Sequence, residues 1–230
     1  MKMALNLYFY IIFFVLIVSG CLQGQVEETQ VYFNNFEQDS RLNGEIEGLG
    51  FLDFNFQSNY QTFYFDGSQV LGRFGWAAFK IRLDDLPEHD YITLEFDLYI
   101  HDHWEGNNNE GVEDVFILDF DKQNLYFSSI LNTKCMDQSC DGRQSFPGNL
   151  NKASYPENAN TANYTLPGIC YFEEELGGSK KIHFNERRFH QSQEMVIKIG
   201  TDIKNVGEDL CNKSWSVDNI VISTLRIPDL

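Results

Sequence analysis

Basic residues are scarce in this chain: 17 Lys and Arg stand against 34 Asp and Glu, a formal net charge of −17 over 230 residues. That deficit excludes a general nucleic-acid binder, because non-specific duplex binding needs a Lys/Arg surplus to displace counterions from phosphate. It also argues against adsorption to anionic lipid through a basic patch. The sequence holds no Gly-x-Ser-x-Gly, no P-loop and no dinucleotide fingerprint, so the chemistries that rely on them lack their usual signatures. Internal repeats and heptads are missing too. What is plentiful is apolar and aromatic: 43% hydrophobic residues, with 20 Phe and 11 Tyr spread along the chain. That is ample for a core, rules out global disorder, and favours strands over helices.

Residues 1–20 read as an export signal. Lys2 is the only charge before Glu27, and the nearly unbroken apolar run from Ala4 to Val18 falls short of the about 20 residues a spanning helix needs. The run ends Val18-Ser19-Gly20-Cys21, which resembles a bacterial lipobox. That resemblance implies a diacylglycerol thioether on Cys21 and a lipid anchor at the cell envelope or surface. The other readings are an ordinary secretory signal cut between Gly20 and Gln25, and a permanent membrane anchor. Sequons at Asn163 (Asn163-Tyr164-Thr165) and Asn212 (Asn212-Lys213-Ser214) keep a secreted, glycosylated protein open. Residues 21–30 are polar and acidic and read as a tether.

Cysteine usage agrees with export. With Cys21 set aside, Cys135, Cys140, Cys170 and Cys211 form an even set, which reads as two disulfides. Cys135 and Cys140 enclose a short polar loop, which favours that pair and leaves Cys170 with Cys211. The rival is a zinc site, for which C-x4-C followed by isolated cysteines is a poor spacing.

From residue 31 onward the hydrophobic period is two. In residues 91–100, Ile92, Leu94, Phe96, Leu98 and Ile100 fall on one face, and Tyr91, Thr93, Glu95, Asp97 and Tyr99 on the other. Residues 115–120 and 195–199 repeat the signal, 217–222 read as a short apolar closing strand, and short aromatic segments at 30–36, 50–56, 62–65 and 77–83 precede them. Turn residues such as Asn43-Gly44 and Asp66-Gly67 punctuate them. The pattern predicts one all-β domain over 31–230, an antiparallel sandwich or barrel. Residues 132–170 hold Pro147, Pro156 and Pro167 with little periodicity, and read as a long loop suited to recognition.

Three segments carry a resemblance: Phe33-Asn34-Asn35-Phe36-Glu37, residues 92–107 with Glu113-Asp114-Val115-Phe116, and Ser214-Trp215-Ser216-Val217-Asp218-Asn219-Ile220-Val221-Ile222. Together they resemble extracellular jelly-roll β-sandwiches of the lectin-like class (concanavalin-like or galactose-binding-like), including carbohydrate-binding modules and MAM-type adhesion domains. The likeness implies a structural Ca²⁺ held by Glu37 and Asp218, with Asp53 as a further ligand. Calcium wants six to eight oxygens, so carboxylates at such positions suit it; without metal they would be capping or turn residues.

The loop from Asp102 to Asp114 crowds oxygens around a ring: Asp102, Trp104, Asn107 and Asp114 are candidate glycan ligands. Carboxylates and amides bridge vicinal hydroxyls while an indole stacks on the apolar sugar face. The competing reading makes Trp104 a cover on one end of the core. Glu95-Phe96-Asp97 resembles the Glu-x-Asp-x-x-Glu of laminarinase-like glycoside hydrolases, but Ile100 stands where the acid should be. His101 and His103 have a spacing that could hold a metal, though edge histidines at the surface are the plainer expectation. Gly75-Trp76-Ala77-Ala78-Phe79 reads as a strand entering the core. The expectation is a non-catalytic surface protein that binds glycan or a protein partner. Its alternatives are a structural subunit without sugar affinity and a degenerate glycoside hydrolase.

Overall fold

The computed structural model describes residues 26–37, 45–50, 62–107, 113–121, 123–132, 142–203 and 210–228. In chain order its strands are β1 (Glu27–Asn34), β2 (Glu45–Gly50), β3 (Thr62–Phe65), β4 (Ser68–Phe74), β5 (Ala77–Leu83), β6 (Tyr91–Asp102), β7 (Val115–Phe120), β8 (Gln123–Ser129), β9 (Arg143–Gln144), β10 (Tyr155–Pro156), β11 (Asn163–Pro167), β12 (Leu176–Phe189), β13 (Met195–Asp202) and β14 (Lys213–Arg226). The first sheet runs β11-β12-β6-β14-β4-β3, with β1 also on β14; the second runs β2-β5-β13-β7-β8. Every strand-to-strand ladder is antiparallel. The chain changes sheet between β1 and β2, β2 and β3, β4 and β5, β5 and β6, β6 and β7, β12 and β13, and β13 and β14, which gives the expected all-β jelly-roll sandwich.

Alternation places the core. Ile92, Leu94, Phe96, Leu98 and Ile100 of β6 point between the sheets and are fully buried, as are Phe79 and Ile81 of β5, Phe116 and Leu118 of β7, and Ile197 and Ile199 of β13. Phe184 of β12 stacks on Phe96 at 4.7 Å and meets Phe116 of the other sheet at 5.1 Å. Trp215 of β14 packs against Phe74 and Phe79 and donates its indole N–H to Gly75 O at 2.8 Å. Trp76 corrects one expectation. Ala77 and Phe79 enter the core, but Trp76 sits one alternation off and stays 36% exposed.

The opposite face of β6 is also covered. The β3–β4 hairpin turns at Asp66-Gly67, where both residues have positive φ (50° and 88°), as a tight twisted hairpin requires. It lays Phe63, Phe65 and Val70 over Tyr99, and Leu166 and Ile169 close the patch from the far edge. This second small core seals His101, whose Phe65 neighbour stands edge-on at 4.8 Å.

Two boundaries differ from the sequence reading. Pairing with β14 draws residues 27–30 of the expected tether into β1. The expected loop over 132–170 contains β9, β10 and β11, and β11 pairs with β12. Proline and polar residues hide these short strands, which exist because a partner strand lies beside them. Cys21, Cys135, Cys140 and Asp53 lie outside the described residues.

Candidate functional site

The site grows from the end of β6. Asp102 is the last residue of that strand and takes a left-handed φ of 62°, which swings the chain out of the sheet. Its side chain is fully buried. One carboxylate oxygen, Oδ1, accepts the backbone N–H groups of Ile169, Cys170 and Phe172 at 3.2, 3.2 and 3.0 Å. The other, Oδ2, is buried with no hydrogen-bond partner among the described residues. A buried carboxylate is tolerated when converging donors replace its water, and here three amides do so.

Those amides belong to the loop between β11 and β12, which is pinned by more than Asp102. The Cys170–Cys211 disulfide ties it to the chain entering β14, as the cysteine count suggested. Gly168 bridges Glu173, and Gly178 N donates to Glu175 O at 3.0 Å. Glycine is required at this crossing. A Cβ on Gly168 would lie 2.4 Å from Phe172 O, and one on Gly178 would lie 2.5 Å from Gly168 N.

Tyr171 is skipped by the carboxylate. Its neighbours on both sides donate to Asp102, while Tyr171 itself stands 60% exposed. Its ring meets Phe172 edge-on at 4.9 Å and His103 at 5.9 Å. Beneath lies a buried ion pair: Lys213 Nζ donates to Asp114 Oδ2 at 2.8 Å and approaches Glu105 Oε2 at 3.5 Å. Asp114 Oδ2 also accepts Glu105 N–H at 2.7 Å. Burial, then the Lys213 charge, holds His103 below the ordinary imidazole range, with Glu105 opposing. The solvent-facing set is thus a phenol ring, an imidazole and a carboxylate.

The expected open sugar subsite at Asp102, Trp104, Asn107 and Asp114 is corrected by this geometry. Trp104 is fully buried, joins the main core and donates Nε1–H to Ser214 O at 2.9 Å, so its face is not available for stacking. Asp102 and Asp114 are likewise inaccessible. Asn107 Oδ1 accepts Ser129 Oγ–H at 2.5 Å. These four residues build the platform, and Tyr171, His103 and Glu105 present it. The signal for Tyr171 was local: an aromatic flanked by a disulfide cysteine.

The histidine expectation is corrected too. His101 is no edge residue. It is fully buried and bonded at Nδ1 to Ser179 Oγ (3.0 Å) and at Nε2 to Ser216 Oγ (2.7 Å). Burial, aided by the Arg73 charge, pushes its pKa down to about 3, so it stays neutral.

Glu37 and Asp218 approach consecutive residues of β4. Glu37 Oε1 accepts Gln69 N–H at 2.5 Å, and Asp218 Oδ2 accepts Ser68 Oγ–H at 2.7 Å. Asp218 Oδ1 accepts Asn219 N–H at 2.7 Å. Burial holds Asp218 above the usual carboxylate range, with the Ser68 and Asn219 hydrogen bonds opposing. Donors already face these oxygens, and among the described residues no three His, Cys, Asp or Glu side chains converge on one point. The described residues alone therefore do not form a calcium cage. Glu95 and Asp97 share the outer face of β6. Asp97 accepts from Lys181 (2.9 Å), His183 (2.9 Å) and Asn219 (3.0 Å), and Glu95 accepts from Asn185 at 3.1 Å.

No protein-family model matches the chain, and no curated protein matches it. Among solved structures it is similar to a family 35 carbohydrate-binding module from Clostridium thermocellum (TM-score 0.30, 7% identity, 86% of this chain and 98% of that one). It is also similar to the carbohydrate recognition domain of Emp47p (TM-score 0.34, 10% identity, 85% and 94%). A third is lectin I-B4 from Griffonia simplicifolia in its metal-free form (TM-score 0.32, 8% identity, 86% and 99%). No residue role is carried over from likenesses of this size.

Proposed function

We propose that the chain is a non-catalytic β-sandwich that binds glycan through the Tyr171 loop. The observation that carries this reading is a tyrosine 60% exposed on a loop whose backbone is clamped by Asp102 and by the Cys170–Cys211 bridge. A pre-set aromatic loses little conformational entropy on binding, and its flat face suits the apolar face of a pyranose. His103 beside it and Glu105, two residues further along, add polar groups that can meet hydroxyls.

A glycan array on the full chain tests this. We expect Tyr171→Ala to lower affinity for the bound glycan by roughly 2- to 12-fold, since a lost aromatic stack is worth about 0.5–1.5 kcal/mol. An unchanged affinity would sink the Tyr171 site. Absence of binding to any glycan would shift the assignment to a protein partner, for which the exposed Tyr164 (55%) and Leu176 (73%) beside the loop are an apolar footing. Catalysis by Glu95 and Asp97 is disfavoured by the lysine, imidazole and amide groups already bonded to Asp97.

Calcium is carried as part of the proposal: Asp53 together with Glu37 and Asp218 would hold it and neutralise their charge. The expected result is a melting temperature that falls in EDTA and recovers with Ca²⁺; indifference to both removes the metal. Display at the cell surface through lipid on Cys21 belongs to the same proposal, and secretion with glycans on Asn163 and Asn212 is its alternative. The intact mass of the mature protein separates them.

A further inference from the structure

At the other end of the sandwich, where β6 and β13 begin and β12 and β14 finish, two imidazoles meet. His89 lies in the turn before β6 and is 4% exposed; His190 follows β12. His89 Nδ1 lies 2.5 Å from Pro87 O. A carbonyl oxygen can only accept, so that nitrogen carries the hydrogen. His190 Nε2 lies 3.1 Å from Asp121 Oδ2, in a carboxylate whose other oxygen accepts Val196 N–H at 2.8 Å. That nitrogen carries a hydrogen as well.

The two remaining nitrogens, His89 Nε2 and His190 Nδ1, then face each other 2.8 Å apart. With both outer hydrogens in place, each presents a lone pair. Two lone pairs held at that distance require a positive centre between them. A proton satisfies the geometry by giving the pair one shared positive charge. A metal ion is the other positive centre the pair can take, once its nitrogens move apart, and the outer bonds suit one: donation of the far N–H to a carboxylate or a backbone carbonyl is how proteins orient metal-ligating histidines.

The surroundings agree. A cavity of about 250 Å³, lined by Glu88, His89, Asp90, Gln191, Arg226 and Ile227, opens on the His89 ring. Arg226 is paired with Glu88 at 3.1 Å, which leaves Asp90 and Asp121 as the excess charge near the pair.

We propose that His89 Nε2 and His190 Nδ1 form a binding site for a borderline divalent transition cation of the Zn²⁺ or Cu²⁺ class. Imidazole nitrogens select these ions over Ca²⁺ and Mg²⁺. The pair supplies two ligands, and water from the cavity completes the coordination. Zinc–nitrogen bonds of about 2.0–2.1 Å need the nitrogens to part to roughly 3.3 Å, a small rotation of two rings. The balance is simple: M²⁺ enters, and the shared proton leaves. The site is independent of the Tyr171 loop, at the far end of β6.

The test is a Zn²⁺ titration of the full chain, read by calorimetry in buffers of different ionisation enthalpy and by imidazole ¹⁵N resonances. One Zn²⁺ is expected to bind with release of one proton, shifting His89 Nε2 and His190 Nδ1. At free metal about a hundredfold over Kd, the melting temperature should rise by about 5–11 °C. Asp121→Asn should weaken binding about 10–100-fold, and His190→Gln should abolish it. The proposal is overturned if Zn²⁺ leaves those two resonances unmoved, if binding survives in His190→Gln, or if Ca²⁺ binds as well as Zn²⁺. Should His190→Gln fail to fold, the wild-type resonances decide alone.

Discussion

Replacing Asp102 with alanine is expected to destabilise the protein by about 3–5 kcal/mol and to abolish binding at the Tyr171 loop. One oxygen serves three amides, that of Phe172 buried and those of Ile169 and Cys170 partly so. A buried donor left unsatisfied costs about 1–3 kcal/mol, and three donors sharing one acceptor sum to less than three separate losses. The residue is fully buried, so solvent does not fill in for the missing oxygen without opening the end of the sandwich. Asp102→Asn separates the two roles. Its amide oxygen retains the three contacts, and its NH₂ falls where Oδ2 has no partner. We expect the asparagine variant to lose less than half of what alanine loses and to keep the loop closed. Chemical denaturation measures the first effect, and proteolysis within residues 168–175 the second. Equal losses in both variants would show that charge, not the acceptor geometry, holds the loop.

The Asp102 clamp also shows where sequence reasoning reaches its limit. Period-two alternation located the faces of β6 correctly, because each residue of a paired strand is committed to one side. Beyond Asp102 the positive φ breaks that alternation, and nothing in the local sequence announces it. Trp104 was ambiguous for the same reason. Polar neighbours in sequence suggested an open ring, while its neighbours in space are the core and Ser214 O. The strand β12 was hidden by its charges. Ile182 and Phe184 alternate properly, but Lys180-Lys181 and Arg187-Arg188 flank them. Lys180 is in fact buried, its ammonium bonded to Leu131 O and, at 3.0 Å, to Glu157 O, and burial lowers its pKa to about 8. A lysine that braces two loops from inside looks, in sequence, like any solvated lysine.

Acid should unfold this protein earlier than its carboxylates would require. His101 is neutral in the folded state down to about pH 3, against an ordinary value of 6.5. Between those values the unfolded chain binds a proton that the folded chain refuses, so stability is complete above about pH 6.5 and falls as the pH drops. At 1.36 kcal/mol per unit, the loss is about 2–3 kcal/mol by pH 4.5 and about 5 kcal/mol if followed to pH 3. His103, held below its ordinary range more weakly, adds in the same direction. Glu157 and Asp218 oppose it, since burial raises both, but from ordinary values of 4.5 and 3.8 they act mainly at the acid end. His101, with the large shift, dominates the window between pH 6.5 and 4.5, His103 adding to it and Glu157 opposing it near its lower end. Against a total stability of about 5–15 kcal/mol, that is enough to lower the melting temperature visibly. Thermal melts across the window check it. His101→Gln should be less stable at pH 7, having given up a ring hydrogen bond to Ser179 or Ser216, yet its melting temperature should change far less from pH 6.5 to 4.5. An equally steep decline in the variant would move the acid sensitivity elsewhere.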